Sequence, residues 1–92
     1  YDVVLEELEN CLASTDSVEA DMEEKELIRR IEDFLETLSV ENRVIFMRRY
    51  WFSDSYTEIA QRTGLSEKNV SVRLTRLRKQ LRRYFMERRD ER

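Results

Sequence analysis

An all-α domain that ends in a helix-turn-helix is the fold this sequence predicts, and three observations predict it. The 92 residues contain no proline and a single glycine, Gly64, so the turn residues that an all-β chain needs between short strands are missing. Apolar residues recur at three- and four-residue steps along most of the chain, the spacing of one helical face. Two helix-start signals, at Ser55 and Ser66, stand on either side of Gly64, which is itself a helix-stop signal. A chain of this length supports one small core.

Taken in order, Val4, Leu5, Leu8, Cys11 and Leu12 make a short amphipathic stretch with Glu6, Glu7 and Glu9 on its wet side. A helix this short is marginal in water, so it needs a surface to lie on. Residues 13–16 are small or polar and read as a linker, so residues 1–16 form an acidic segment ahead of a helical domain at 17–92. A second helix is predicted to start near Ser17, with Glu19 and Asp21 at its positive end and Met22, Leu27, Ile28, Ile31, Phe34, Leu35 and Leu38 along one stripe.

Ser39 is a suitable N-cap for a third helix running to about Trp51, with Val40, Val44, Met47 and either Tyr50 or Trp51 directed inward. Phe52 to Asp54 breaks the pattern. Ser55 and Glu58, three apart and just before Ile59 and Ala60, then form a capping box that opens a short helix. That helix should end at Gly64, the residue that enters the left-handed region without a steric penalty. Ser66 caps a final long helix that carries Val70, Leu74, Leu77, Leu81 and Phe85 on one face. Two helices meeting across Gly64-Leu65-Ser66 make a helix-turn-helix at residues 55–85.

The side of the last helix opposite its apolar stripe presents Lys68, Val72, Thr75, Arg76, Lys79 and Arg83, flanked by Arg73, Arg78 and Arg82. In a helix-turn-helix the second helix enters the major groove, and its N-terminal half meets base edges. Lys68, Ser71, Val72, Thr75 and Arg76 occupy that half, with Ser66, Asn69 and Arg73 beside them as further candidates. Arginine offers two donors to guanine, and the methyl groups of threonine and valine suit the thymine methyl, so Arg76 is the expected main specific contact. Lys79, Arg82 and Arg83 lie further along, where phosphates are the expected partners. Tyr56 and Thr57 begin the first helix of the motif and are placed to hold a phosphate through backbone N–H groups. The plain alternative is a solvated basic face, and for Arg88, Arg89 and Arg92 that is the reading taken. The aromatic run Phe46, Tyr50, Trp51, Phe52 and Tyr56 reads chiefly as core, with a partner groove as the second possibility.

Charge is divided along the chain. Residues 1–40 hold thirteen acidic against three basic side chains, a balance of −10, whereas residues 41–92 hold seven against fourteen, a balance of +7. A basic body behind an acidic lead-in is a pattern found in nucleic-acid binders, and the overall net charge of −3 conceals it. Cys11 is the single cysteine, so no intrachain disulfide is expected, and it reads as small apolar filling. With no histidine, no cysteine pair and no glycine-rich loop, the usual acid-base, metal and nucleotide sites cannot be assembled. Neither an enzyme nor a cofactor is expected. No apolar run reaches the roughly 20 residues of a membrane span and no signal-peptide pattern occurs, so a cytoplasmic protein without membrane insertion is expected. An opening Tyr1 suggests a fragment of something longer.

Residues 38–85 resemble region 4 of the sigma-70 family, in its extracytoplasmic-function branch. The matching words are Leu38-Ser39 with Arg43-Val44-Ile45-Phe46, Arg49-Tyr50, and Ser55-Tyr56-Thr57-Glu58-Ile59-Ala60, then Gly64-Leu65-Ser66, Val70 and Val72-Arg73-Leu74-Thr75-Arg76-Leu77-Arg78. Residues 1–37 look similar to the acidic linker that precedes that region. The resemblance implies a small winged-helix-like bundle that binds the promoter minus-35 element in the major groove. It also implies docking on the β-subunit flap of core RNA polymerase through an apolar groove, for which Phe46, Tyr50, Leu81 and Phe85 are the candidates, and capture by an anti-sigma factor. Many relatives carry arginine where this chain has Ser71, so the base preference there departs from the common pattern. Two other readings compete. One is a LuxR-type output domain, whose recognition helix usually carries a histidine that this chain lacks. The other is a helical adaptor that binds only protein through its acidic N-terminal part.

Overall fold

Four helices follow one another in the structure, a computed structural model that describes Glu7, Leu8, Asn10 and residues 24–89. They are α1 (Glu24–Leu35), α2 (Val40–Tyr50), α3 (Tyr56–Thr63) and α4 (Glu67–Arg89). No strand occurs among the described residues, so the all-α prediction holds and the winged-helix likeness extends to the helices alone. The predicted start near Ser17 and the expected apolar role of Cys11 lie outside the described residues.

The signals at the helix ends act as the sequence predicts. The Ser39 hydroxyl accepts from the Asn42 N–H at 3.3 Å to start α2. At α3 the capping box is complete: the Glu58 N–H donates to Ser55 Oγ at 3.1 Å, and the Ser55 N–H donates to Glu58 Oε1 at 2.7 Å. Gly64 ends α3 at φ 79°, its N–H donating to the Ala60 carbonyl. The Ser66 hydroxyl then accepts from Asn69 N–H at 3.0 Å, and α4 begins.

Packing is organised around α4. Val70, Leu74, Leu81 and Phe85 have no exposed surface and Leu77 is 2% exposed, so the predicted stripe is the inner face along its whole length. Against it lie Ile31, Phe34 and Leu35 of α1, Ile45, Phe46 and Tyr50 of α2, and Ile59 and Ala60 of α3. Phe46 sits among aromatic rings, 6.0 Å from Phe34 and 4.7 Å from Tyr50 between centroids. Leu8 is buried in the same core; the other apolar residues of its stretch lie outside the described residues.

One face is rotated relative to expectation. Val40 is 72% and Val44 42% exposed, while Ile45, Phe46 and Tyr50 are the buried residues of α2. This helix carries two apolar stripes roughly 120–160° apart at the pitch of an α-helix. The stripe of Ile45, Phe46 and Tyr50 turns inward, where the two rings join Phe34 in an aromatic cluster. Ile28, predicted on the inner stripe of α1, is likewise partly exposed.

Gly64 shows how the turn is specified. A Cβ built at this position meets nothing within 4 Å, so the requirement for glycine is one of backbone conformation alone. Gly64→Ala is expected to lower stability by about 1 kcal/mol through the left-handed backbone, measured as a shift in the denaturant midpoint with an unchanged m-value.

Candidate nucleic-acid interface

Because the inner stripe of α4 fixes its rotation, the positions on the far side are fixed as well. Lys68, Val72, Thr75, Arg76, Lys79, Arg82 and Arg83 are all exposed, as are Ser66 and Asn69, and Ser71 is half-buried at the margin. Five of these exposed side chains are cationic, and they run along one side of a helix about 34 Å long. Thr57 is exposed and Tyr56 half-buried at the start of α3.

Two flanking arginines are held more tightly than their position on the helix suggested. Arg73 donates to Asn69 Oδ1 at 3.1 Å, to Glu41 Oε1 at 2.7 Å and to Asn42 Oδ1 at 3.2 Å. It therefore ties the N-terminal half of α4 sideways to the start of α2 rather than projecting outward. Arg78 Nη1 reaches Glu7 Oε1 at 3.2 Å, the Tyr50 hydroxyl at 2.9 Å and the Tyr56 hydroxyl at 3.5 Å, while its Nη2 lies 3.4 Å from Thr75 Oγ1.

Glu7 is the acceptor at the centre of that second network and not a wet-side residue. Its Oε1 also accepts from the Tyr50 hydroxyl at 2.5 Å, and its Oε2 accepts from Arg49 Nη2 at 3.2 Å. Burial pushes the carboxyl pKa up, but the hydrogen bonds from Tyr50 and Arg49 and the charges of Arg49 and Arg78 outweigh this, leaving it below the ordinary value. Burial, followed by the hydrogen bond to Glu7, raises the pKa of the Tyr50 hydroxyl and keeps it protonated. The guanidinium of Arg49 also stacks 4.7 Å from the centre of the Tyr56 ring. The charge division along the sequence pointed to a nucleic-acid partner for the basic residues and placed Glu7 on the wet side, so this pairing within the chain was not foreseen.

Asp54 is a second structural carboxylate that the sequence pattern passed over. It is 7% exposed and accepts from Arg48 Nε at 2.8 Å, with Arg62 Nε at 3.3 Å, while its carbonyl accepts from Arg49 Nη1 at 3.1 Å. Ser53 beside it has φ 59°, so this ion pair holds a strained turn between α2 and α3.

The candidates for a partner groove require correction. Phe46, Leu81 and Phe85 are fully buried and Tyr50 nearly so, which leaves them no surface to offer. The exposed large apolar side chains among the described residues are Ile28, Val40, Val44, Phe52, Val72 and Met86, and Met47 and Trp51 are half-buried on the same α2 stripe as the two valines of that helix. Among the described residues no group of carboxylates and cysteines is arranged to hold a metal, and no helix is long and apolar enough to cross a membrane.

The family model described as Sigma-70, region 4 matches residues 28–81, which runs from α1 through the capping box and Gly64 to the last full turns of the α4 stripe. The chain belongs to the sigma-70 region 4 family. No curated protein and no solved structure matches it. Region 4 is a DNA-binding regulatory domain of sigma factors, and membership carries with it interaction with DNA and RNA polymerase. The helix-turn-helix of this region 4 is α3 and α4, and its outward basic face lies on the second helix of the pair. Asp54→Asn is expected to destabilise the domain by about 1 kcal/mol, since the buried carboxylate that accepts from the half-buried Arg48 and the more exposed Arg62 becomes neutral. Thermal unfolding followed by circular dichroism measures the loss.

Proposed function

We propose that this chain is the promoter-reading region 4 of an extracytoplasmic-function sigma factor, with α4 seated in the major groove of the minus-35 element. The observation that carries the reading is the outward face of α4, where Lys68, Val72, Thr75, Arg76, Lys79 and Arg83 are exposed together beyond the Gly64 turn. Lys68, Ser71, Val72, Thr75 and Arg76 meet base edges, and Arg76 supplies the main specific contact through paired donors to guanine. Lys79, Arg82 and Arg83 meet phosphates and add affinity without sequence information. Ser66 and Asn69 are engaged in capping and bracing α4, and Arg73 braces it against α2, so their part is to set the angle at which the helix is offered. Tyr56 and Thr57 lie where the backbone N–H groups of α3 face a phosphate.

For core RNA polymerase the β-subunit flap is the proposed partner, and the surface that suits it is the exposed α2 stripe of Val40 and Val44 with Met47 and Trp51. An exposed apolar stripe on a small domain is a docking feature, and an anti-sigma factor covering it would keep the domain from polymerase. The factor acts with its polymerase in the cytoplasm.

Two measurements test this reading. On a duplex selected from a random pool with polymerase present, Arg76→Ala is expected to cost roughly 1 to 3 kcal/mol and relax preference at one base pair, whereas Lys79→Ala weakens selected and scrambled duplexes equally. Equal losses on both duplexes for both variants would sink the assignment of roles. Val44→Glu is expected to abolish binding to the isolated flap while leaving duplex affinity within about twofold, since a charge is then buried without a partner in the flap contact alone. Unchanged flap binding would move the docking surface elsewhere.

A further inference from the structure

A second concentration of positive charge lies beside the α4 face, and the chain fills it itself. Arg49 and Tyr50 from α2, Tyr56 from α3 and Arg78 from α4 converge around the carboxylate of Glu7. We infer that these four side chains form a seat for a backbone phosphodiester, continuous with the DNA-facing side of α4, and that Glu7 occupies it as an internal stand-in which bound DNA displaces. This inference rests on the DNA-binding reading above.

Four features support it. The four side chains are two guanidinium groups and two phenols, a set that favours an anion through charge-assisted hydrogen bonds. Its location is contiguous with the proposed interface: Tyr56 opens α3, whose N-terminus is proposed above to meet a phosphate, and Arg78 Nη2 lies 3.4 Å from the outward Thr75 hydroxyl. Glu7 also leaves the donors incompletely used: it accepts from Tyr50, Arg49 Nη2 and Arg78 Nη1, while the buried Arg49 Nε has no acceptor among the described residues. Finally, the seat is open to exchange. The Glu7 side chain is 33% exposed, while its neighbour Leu8 is buried in the core, so the anion can swing out with its segment still anchored.

Affinity for a selected and a scrambled duplex is to be measured for the unaltered chain, Glu7→Gln, Glu36→Gln as a net-charge control, the double variant Arg49→Gln with Arg78→Gln, and that double variant combined with Glu7→Gln. Glu7→Gln is expected to tighten both duplexes about tenfold, equivalent to about 1.4 kcal/mol, because phosphate contacts carry no sequence information. Glu36→Gln should give a clearly smaller gain, and Glu7→Gln should give none when both arginines are absent. Independently of any substitution, the side-chain carboxyl carbon resonance of Glu7 should move to that of a solvated glutamate as duplex is added to the unaltered chain. Unchanged or weaker binding by Glu7→Gln, an equal gain from Glu36→Gln, or a stationary Glu7 resonance on a chain that does bind would each overturn the seat alone. An unaltered chain with no salt-sensitive affinity for either duplex would overturn the DNA reading and the seat with it.

Discussion

Rotation of α4 about its own axis is the constraint on which the rest of this structure depends. Five side chains, Val70, Leu74, Leu77, Leu81 and Phe85, are sealed into one core shared by all four helices. Each apolar side chain so buried contributes roughly 1.5–3 kcal/mol relative to exposure, and a turn of one residue position, about 100°, would take most of them out of the core together. No plausible surface interaction competes with that. The basic residues are therefore presented to solvent because the leucines leave them no other direction, and recognition chemistry follows from hydrophobic packing on the opposite side.

Holding the rotation is not sufficient to hold the angle, and the polar contacts at the flanks of α4 supply that. Arg73 bridges to Glu41 and Asn42 near the N-terminal half of the helix, while Arg78 bridges to Tyr50 and Tyr56 further along. The Arg73 contacts are partly exposed and individually weak. Those of Arg78 are more enclosed, and there the local dielectric strengthens the attraction while making an unpaired group costly. Below them, Asp54 pins the turn that leads from α2 into α3. The helix-turn-helix is thus braced at its entrance, along one flank and along the other, and among the described residues the tie that reaches the outward side of α4 is the contact of Arg78 with Thr75.

The acidic lead-in belongs to the same electrostatic system. A basic body that binds nucleic acid repels itself when unoccupied, and a covalently attached carboxylate offsets part of that repulsion at no translational cost. Glu7 provides one such charge between Arg49 and Arg78. Linkage gives the sign of its effect: a carboxyl held below its ordinary value stabilises the folded state above that range, and the contribution fades as pH falls through the lowered value.

Local signals were the legible part of this protein. The capping box at Ser55 and Glu58, the left-handed Gly64, the caps at Ser39 and Ser66 and the apolar stripe of α4 were all fixed by the sequence itself, because each rests on the conformational limits of a few neighbouring residues. The outward set on α4 followed from them by helical geometry. Only the tertiary structure decided which of the two apolar stripes of α2 turned inward, so Val40 and Val44 came out exposed and Phe46 and Tyr50, candidates for a partner surface, were sealed in the core. The same holds for Arg73, Arg78, Glu7 and Asp54, whose partners lie on other helices. A periodic pattern gives the faces of a helix, but the choice among faces and the pairing of charges depend on distances between segments far apart in the chain, and those exist only once the core has closed.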